Sequence, residues 1–262
     1  MSLFLIAALT NALASGQGSA VASVAGPVSL RLRTVAARVE ITASDAPAVR
    51  VALPDSPGRL VRILFAGADR IDVDLGVEPK SPGRVRIELP RKSRLDLGSA
   101  QGAISASGVD GDVRVRTSSG DVSVEGAAAV DVETIDGRVR IGAAQGPLRI
   151  HTVSGAIAIS SKNPALQLDV ETASGQIEWE GACARGCRAD VESVSGAVRL
   201  KPALPSSFEL HFATHSGALR DEGRALAPVE GGRGKHSWRR ARLGSGEGVV
   251  ECETFSGDLV VR

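Results

Sequence analysis

Tyrosine is missing altogether, and two tryptophans and five phenylalanines are the only large aromatics in 262 residues. The core must then be assembled from Val, Ile, Leu and Ala, and the aromatic surfaces on which sugar rings stack are scarce. Excess charge is missing too. Lys and Arg number 31 against 30 Asp and Glu, so no overall field holds nucleic acid or an anionic membrane, and neither partner is implied. Beyond the first residues no apolar run approaches bilayer-spanning length. Cysteine is limited to Cys183, Cys187 and Cys252. Cys183 and Cys187 flank Ala-Arg-Gly in a turn-like stretch, where an oxidising compartment lets them close a small disulfide loop. As zinc ligands the two would lack a neighbouring histidine. No metal and no cofactor is expected.

What the chain does have begins with Met1-Ser-Leu-Phe-Leu-Ile-Ala-Ala-Leu-Thr-Asn-Ala-Leu-Ala14, an apolar run followed by small residues, which is the layout of a secretory signal peptide. No Lys or Arg precedes the run. Residues 1–22 are read as that signal, cleaved between Ala14 and Ala22. The product is expected to be extracytoplasmic, in the periplasm, on the cell surface or secreted, with no membrane span left after removal.

The dominant feature is an internal repeat. Gly102, Gly120, Gly137, Gly155, Gly175, Gly196, Gly217 and Gly257 share one frame, commonly V-x-V-E-T-x-S-G-x-V-x-V, with spacings of 18, 17, 18, 20, 21, 21 and 40. Seven and five residues before each glycine, and two and four after it, stand apolar columns in which Asp221 is the one polar member. Such columns mark the inward side of strands with period two. Three residues before the glycine is always Ser or Thr, and directly before it is usually Ser. Small hydroxyl side chains beside a glycine free to take positive φ build a tight corner. A second corner closes each repeat, as in Gly142-Ala-Ala-Gln-Gly-Pro147 and Ser160-Ser-Lys-Asn-Pro164.

Two short strands and two corners make one rung of about 17–21 residues. Stacked ~4.8 Å apart, roughly eleven or twelve rungs would form a rod on the order of 55 Å long. The fold expected is all-β, a single-stranded parallel β-helix or solenoid. An antiparallel meander uses the same strands. The outward column Asp96, Arg114, Asp131, Arg149, Asp169 alternates in sign, which helps only if equivalent positions are adjacent. Asp169 followed by Asp190, and Glu171 by Glu192, break the alternation.

One solenoid domain is expected over residues 28–262. Leu30, Leu32, Val39 and Ile41 repeat the frame with Ala37 in the glycine place, residues 45–92 read as irregular rungs, and 221–248 as an irregular or end-covering insertion. The insertion holds the one locally basic stretch, Gly231 to Arg242. Val261, the last core position, is followed by Arg262 alone. An uncovered solenoid end there invites end-to-end self-association.

The Thr152-Val-Ser-Gly155, Thr172-Ala-Ser-Gly175 and Thr254-Phe-Ser-Gly257 motifs closely resemble those of the bacterial putative-adhesin family of extracytoplasmic repeat domains, from about Val28 onward. The resemblance implies a single-stranded β-helix, usually right-handed, in the cell envelope. It brings no catalytic residue, cofactor or ligand.

No serine stands in a nucleophile context distinct from the corners. His151 and His211 fall in outward columns, His215 in a corner and His236 in the basic stretch. The spacing of His211 and His215 is compatible with a metal, but a corner separates them. Asp110, Asp112, Asp121 and Asp136 are the acidic group that a polysaccharide lyase or hydrolase on this fold would use. The reading preferred is a non-catalytic envelope protein that presents repetitive faces to a protein or glycan partner. A carbohydrate-active enzyme and an envelope sensory module are the alternatives.

Overall fold

The computed structural model describes residues 14–67, 69–75, 83–223, 226–229 and 237–262. Most of the apolar start, residues 1–13, lies outside them. The chain opens with β1 (Ala14–Gln17), β2 (Ser19–Ser23), β3 (Ser29–Thr34), β4 (Arg38–Ser44), β5 (Ala48–Ala52), β6 (Leu60–Phe65), β7 (Arg70–Asp74) and β8 (Arg84–Pro90). The repeats follow in pairs: β9 (Arg94–Gln101) with β10 (Ile104–Ser107), β11 (Asp112–Ser119) with β12 (Val122–Glu125), β13 (Ala129–Asp136) with β14 (Val139–Gly142), and β15 (Leu148–Ser154) with β16 (Ile157–Ser161). Next come β17 (Gln167–Ser174) with β18 (Ile177–Gly181), β19 (Arg188–Ser193) with β20 (Val198–Pro202), and β21 (Phe208–Thr214) with β22 (Leu219–Asp221). After β23 (Ala227–Val229) and β24 (Ser237–Leu243), the chain ends in β25 (Gly248–Thr254) and β26 (Leu259–Val261).

The first strand of each pair joins a front sheet of 14 strands and the second a back sheet of 12. Repeats pair parallel and in register, Val113 opposite Val130 and Val122 opposite Val139. The fold is therefore an all-β parallel solenoid, not a meander. Of the apolar columns, only Leu219 and Asp221 escape full burial. Both lie on β22, the last back-sheet strand, where no further rung covers them. Each fully buried Val, Ile or Leu contributes roughly 1.5–3 kcal/mol.

Rung order departs from chain order at both ends. The β3/β4 rung lies between β7/β8 and β9/β10, and the β25/β26 rung lies between β19/β20 and β21/β22. Val250 thus sits between Ala189 and Leu210. The expectation of an uncovered C-terminal end is corrected: Val261 is interior, and Arg262 N–H donates to the Leu200 carbonyl. The expected eleven or twelve rungs become ten parallel ones among the described residues. The difference lies in β1, β2, β5 and β6 at one end and β23 and β24 at the other, which pair antiparallel and extend the sheets as covering strands. Of the basic stretch, residues 231–236 lie outside the described residues. The remainder is β24, paired along β21.

The glycine corners explain how rungs pack so closely. From Gly102 to Gly175, five glycines hold φ between +119° and +146°. A Cβ on any of the eight would lie under 3.0 Å from the carbonyl oxygen of the rung beneath, through the order Ala37, Gly102, Gly120, Gly137, Gly155, Gly175, Gly196, Gly257, Gly217. At the last three the φ lies outside the left-handed range, so backbone crowding alone demands glycine. The preceding hydroxyl column secures the corner: Thr117, Thr134, Thr152 and Thr172 each donate to the carbonyl two residues on, at 3.0–3.2 Å. Opposite, small apolar residues such as Val109, Ala127 and Ala144 plug the second corner. One rung uses Cys183 and Cys187 there, joined as a disulfide with Cα atoms 5.4 Å apart. Cys252 is free and buried, and burial pushes its thiol up to about 12.

Candidate binding trough on the front sheet

The strand alternation that buries Val, Ile and Thr aims the residues four and two before each glycine outward. From the Gly120 rung on, four before, in rung order, stand Arg116, Glu133, His151, Glu171, Glu192, Glu253 and Ala213. Two before stand Ser118, Ile135, Val153, Ala173, Val194, Phe255 and His215. These rows are the two banks of an open trough of about 1080 Å³ that runs along the stack, floored by the Thr column. Ile135, Val153, Val194 and Phe255 are 56%, 52%, 55% and 59% exposed. The Phe255 and His215 rings stack with centroids 4.9 Å apart and planes at 8°. Isolated exposed apolar residues are ordinary, but a contiguous stripe marks an interaction surface.

Charge along the carboxylate bank is uneven. In the lower rungs each acid has a base on the next rung: Arg31 donates to Asp96 at 3.2 Å, Arg114 to Asp131 at 2.7 Å, Arg116 to Glu133 at 3.0 Å and Arg149 to Asp169 at 3.2 Å. His151 Nδ1 lies 3.0 Å from Glu171. Then the pattern fails. Asp169 opposes Asp190, Asp190 opposes Glu251, and Glu171, Glu192 and Glu253 stand in file. Arg188 reaches Asp190 at 3.0 Å and Glu251 at 3.2 Å. Among the described residues neither Glu192 nor Glu253 has an ion-pair partner.

Partial burial and the adjacent Glu171 and Glu253 charges, with Asp169 and Asp190 beyond, raise the Glu192 carboxyl above its ordinary value. A carboxyl raised on folding favours the folded state only below its unfolded pKa, and that advantage disappears as pH climbs through the raised value. Glu192→Gln is therefore expected to raise the thermal midpoint by about 1–2 °C at neutral pH and to match the parent protein at pH 3. Calorimetry at both pH values checks this, and an equal gain at pH 3 would rule out charge repulsion as the cause.

The other candidate residues scatter. Asp112, at the start of β11, meets Arg94 at 3.5 Å, whereas Asp136 lies at the glycine corner and accepts from Ser154 at 3.3 Å. Asp110 shares the second corner and Asp121 the glycine corner, so the four acids face no common site. His211 lies beside Glu209 at 3.8 Å, while His215 stacks on Phe255. His236 lies outside the described residues. Among those described, no three His, Cys, Asp or Glu side chains group to hold a metal. The stripe itself goes unpredicted from sequence. Its signal is the residue two before the corner glycine, the x of Thr-x-Ser-Gly and its Thr-x-Asp-Gly and Ser-x-Ser-Gly variants, apolar at Ile135, Val153, Val194 and Phe255 although the alternation points it to solvent.

The model of the Toastrack DUF4097 family matches residues 74–229, more than half of the chain. No curated protein matches. A solved structure described as a putative cell adhesion protein from Clostridium sporogenes is 9% identical over 95% of this chain and 98% of that one, with a TM-score of 0.30. A likeness of that size carries no argument about ligand or role.

Proposed function

Because this chain belongs to the Toastrack DUF4097 family, which has no assigned function, we propose a role from its geometry: a non-catalytic interaction protein of the cell envelope that holds an elongated partner along the front-sheet trough. The observation that carries this reading is the stripe Ile135, Val153, Val194 and Phe255, aimed outward and half or more exposed on a stack whose inward apolar columns are committed to packing. A groove that crosses successive rungs suits an extended ligand better than a compact one, as in other solenoids with long binding faces. The signal-like start supports export. Cleavage near Ala14 keeps β1 and β2, whereas cleavage at Ala22 removes both strands and their pairing to β6 and β5.

Site-specific photo-crosslinking in cells tests the reading. A photoreactive side chain at Val153 or Val194 is expected to give a discrete adduct, and one at Arg140 on the outer face of the back sheet is not. The same recovered protein is expected to begin near Ala14 by mass spectrometry. Equal adducts from both faces, or none from the trough positions, would refute a trough-centred function.

A further inference from the structure

The two banks of the trough differ in kind, and that difference restricts what fits. On one side lies the apolar stripe, and about two residues away along each strand lies a file of carboxylates. Over the rungs β17, β19 and β25 the outward columns carry Asp169, Glu171, Asp190, Glu192, Glu251 and Glu253. Arg149, His151 and Arg188 reach four of these. Among the described residues Glu192 and Glu253 have no ion-pair partner, and they stand directly beside Val194 and Phe255.

We infer that the occupant of this upper trough is an extended polypeptide segment in which lysine or arginine alternates with apolar residues, laid along the stack axis. This rests on the trough being the binding face, and adds the chemistry of the partner. An extended chain lying in the trough projects successive side chains to opposite banks. One parity then covers Val194 and Phe255, and the other meets Glu192 and Glu253. Same-side residues recur every ~6.6 Å and rungs every ~4.8 Å, a mismatch that long lysine and arginine side chains absorb. An acidic segment would add like charges to a file that already repels itself. A chain of lysines alone would leave the stripe wet. A second copy of this protein fits less well, since two concave troughs do not fill each other.

The probe is a fluorescent peptide, Lys-Val-Lys-Ile-Lys-Val-Lys, titrated against the full mature protein and compared with its Glu-for-Lys counterpart and with heptalysine. Expected are saturable binding of the first, at least tenfold weaker binding of the other two, and a further loss of at least tenfold for the E192Q/E253Q double variant. V194D is expected to lose binding of the first peptide too. Circular dichroism confirms that both variants remain folded. Equal binding of the acidic peptide, or indifference to E192Q/E253Q, overturns the inference while leaving a trough-centred function standing. Sedimentation that shows a dimer broken by V194D, with no peptide bound, assigns the trough to a second copy and overturns it as well. Absence of position-specific adducts in the crosslinking experiment removes the premise instead.

Discussion

Replacement of Gly155 by alanine is expected to lower the thermal midpoint by roughly 8–16 °C or to abolish soluble expression, an effect on the order of 4 kcal/mol in a chain of this size. Two penalties combine. Gly155 holds φ at +129°, where an L side chain costs about 1–2 kcal/mol. Its Cβ would also fall well inside 3.0 Å of the Gly137 carbonyl. That oxygen belongs to the neighbouring rung's backbone, so it cannot rotate away as a side-chain tip can. Relief requires prising two rungs apart and breaking ladder hydrogen bonds in both sheets. Gly126→Ala is the control. There φ is +81° but the nearest atom to the added Cβ is 3.9 Å away, so only the backbone penalty remains and a loss of about 2–8 °C follows. Similar midpoints for the two variants would show that crowding at the glycine corner does not govern rung packing.

Deleting residues 248–262 is expected to unfold far more than the deleted strands. In a stack built in chain order, losing the last rung leaves every earlier one in place. Here β25 separates β19 from β21, and β26 separates β20 from β22. Removal takes away Val250, Cys252, Leu259 and Val261, all fully buried, and strips backbone partners from both neighbours. Native-state hydrogen exchange is expected to show β21, β22 and β24 losing protection by a hundredfold or more. β11 to β16, several rungs away, should keep theirs, because each rung is stabilised by its nearest neighbours. Retained protection in β21 and β22 would mean that this rung closes directly onto β19 and β20, and that the inserted position is dispensable.

The same features decide what the sequence could disclose. Strand identity was legible because Val113, Val130 and Leu148 occupy one column, and a column of that kind marks a buried strand face whether the strands stack or fold back as a meander. Corners were legible because the Thr hydroxyl and the following glycine do local work that depends on nothing distant. Rung order was not. Cys252 satisfies the frame as well between Val191 and Phe212 as it would beyond Phe212, so identical frames carry no information on which rung lies over which. The charge ladder had the same blind spot: chain order sets Asp190 beside His211, whereas Glu251 intervenes. The covering strands at the start of the chain stayed hidden for the opposite reason, whereas residues 221–248 already read as an irregular or end-covering insertion, and β24 is the covering strand within it. β5 and β6 meet their partners antiparallel at the other end of the stack, and they need none of the corner residues by which the repeats announce themselves. As for the candidate site, its carboxylate bank was visible as a broken alternation, but the apolar bank hid inside the very motif read as a structural corner.

The interior place of β25/β26 also sets a schedule for the nascent polypeptide. Most rungs can settle onto one finished moments earlier, since their partners lie about one repeat back along the chain. The β21/β22 rung leaves the ribosome before the fifteen or so residues on which it must rest. Until β25 and β26 have been made, the apolar faces of Val198 and Leu200 on one side and of Leu210 and Phe212 on the other await the same late-arriving strand pair.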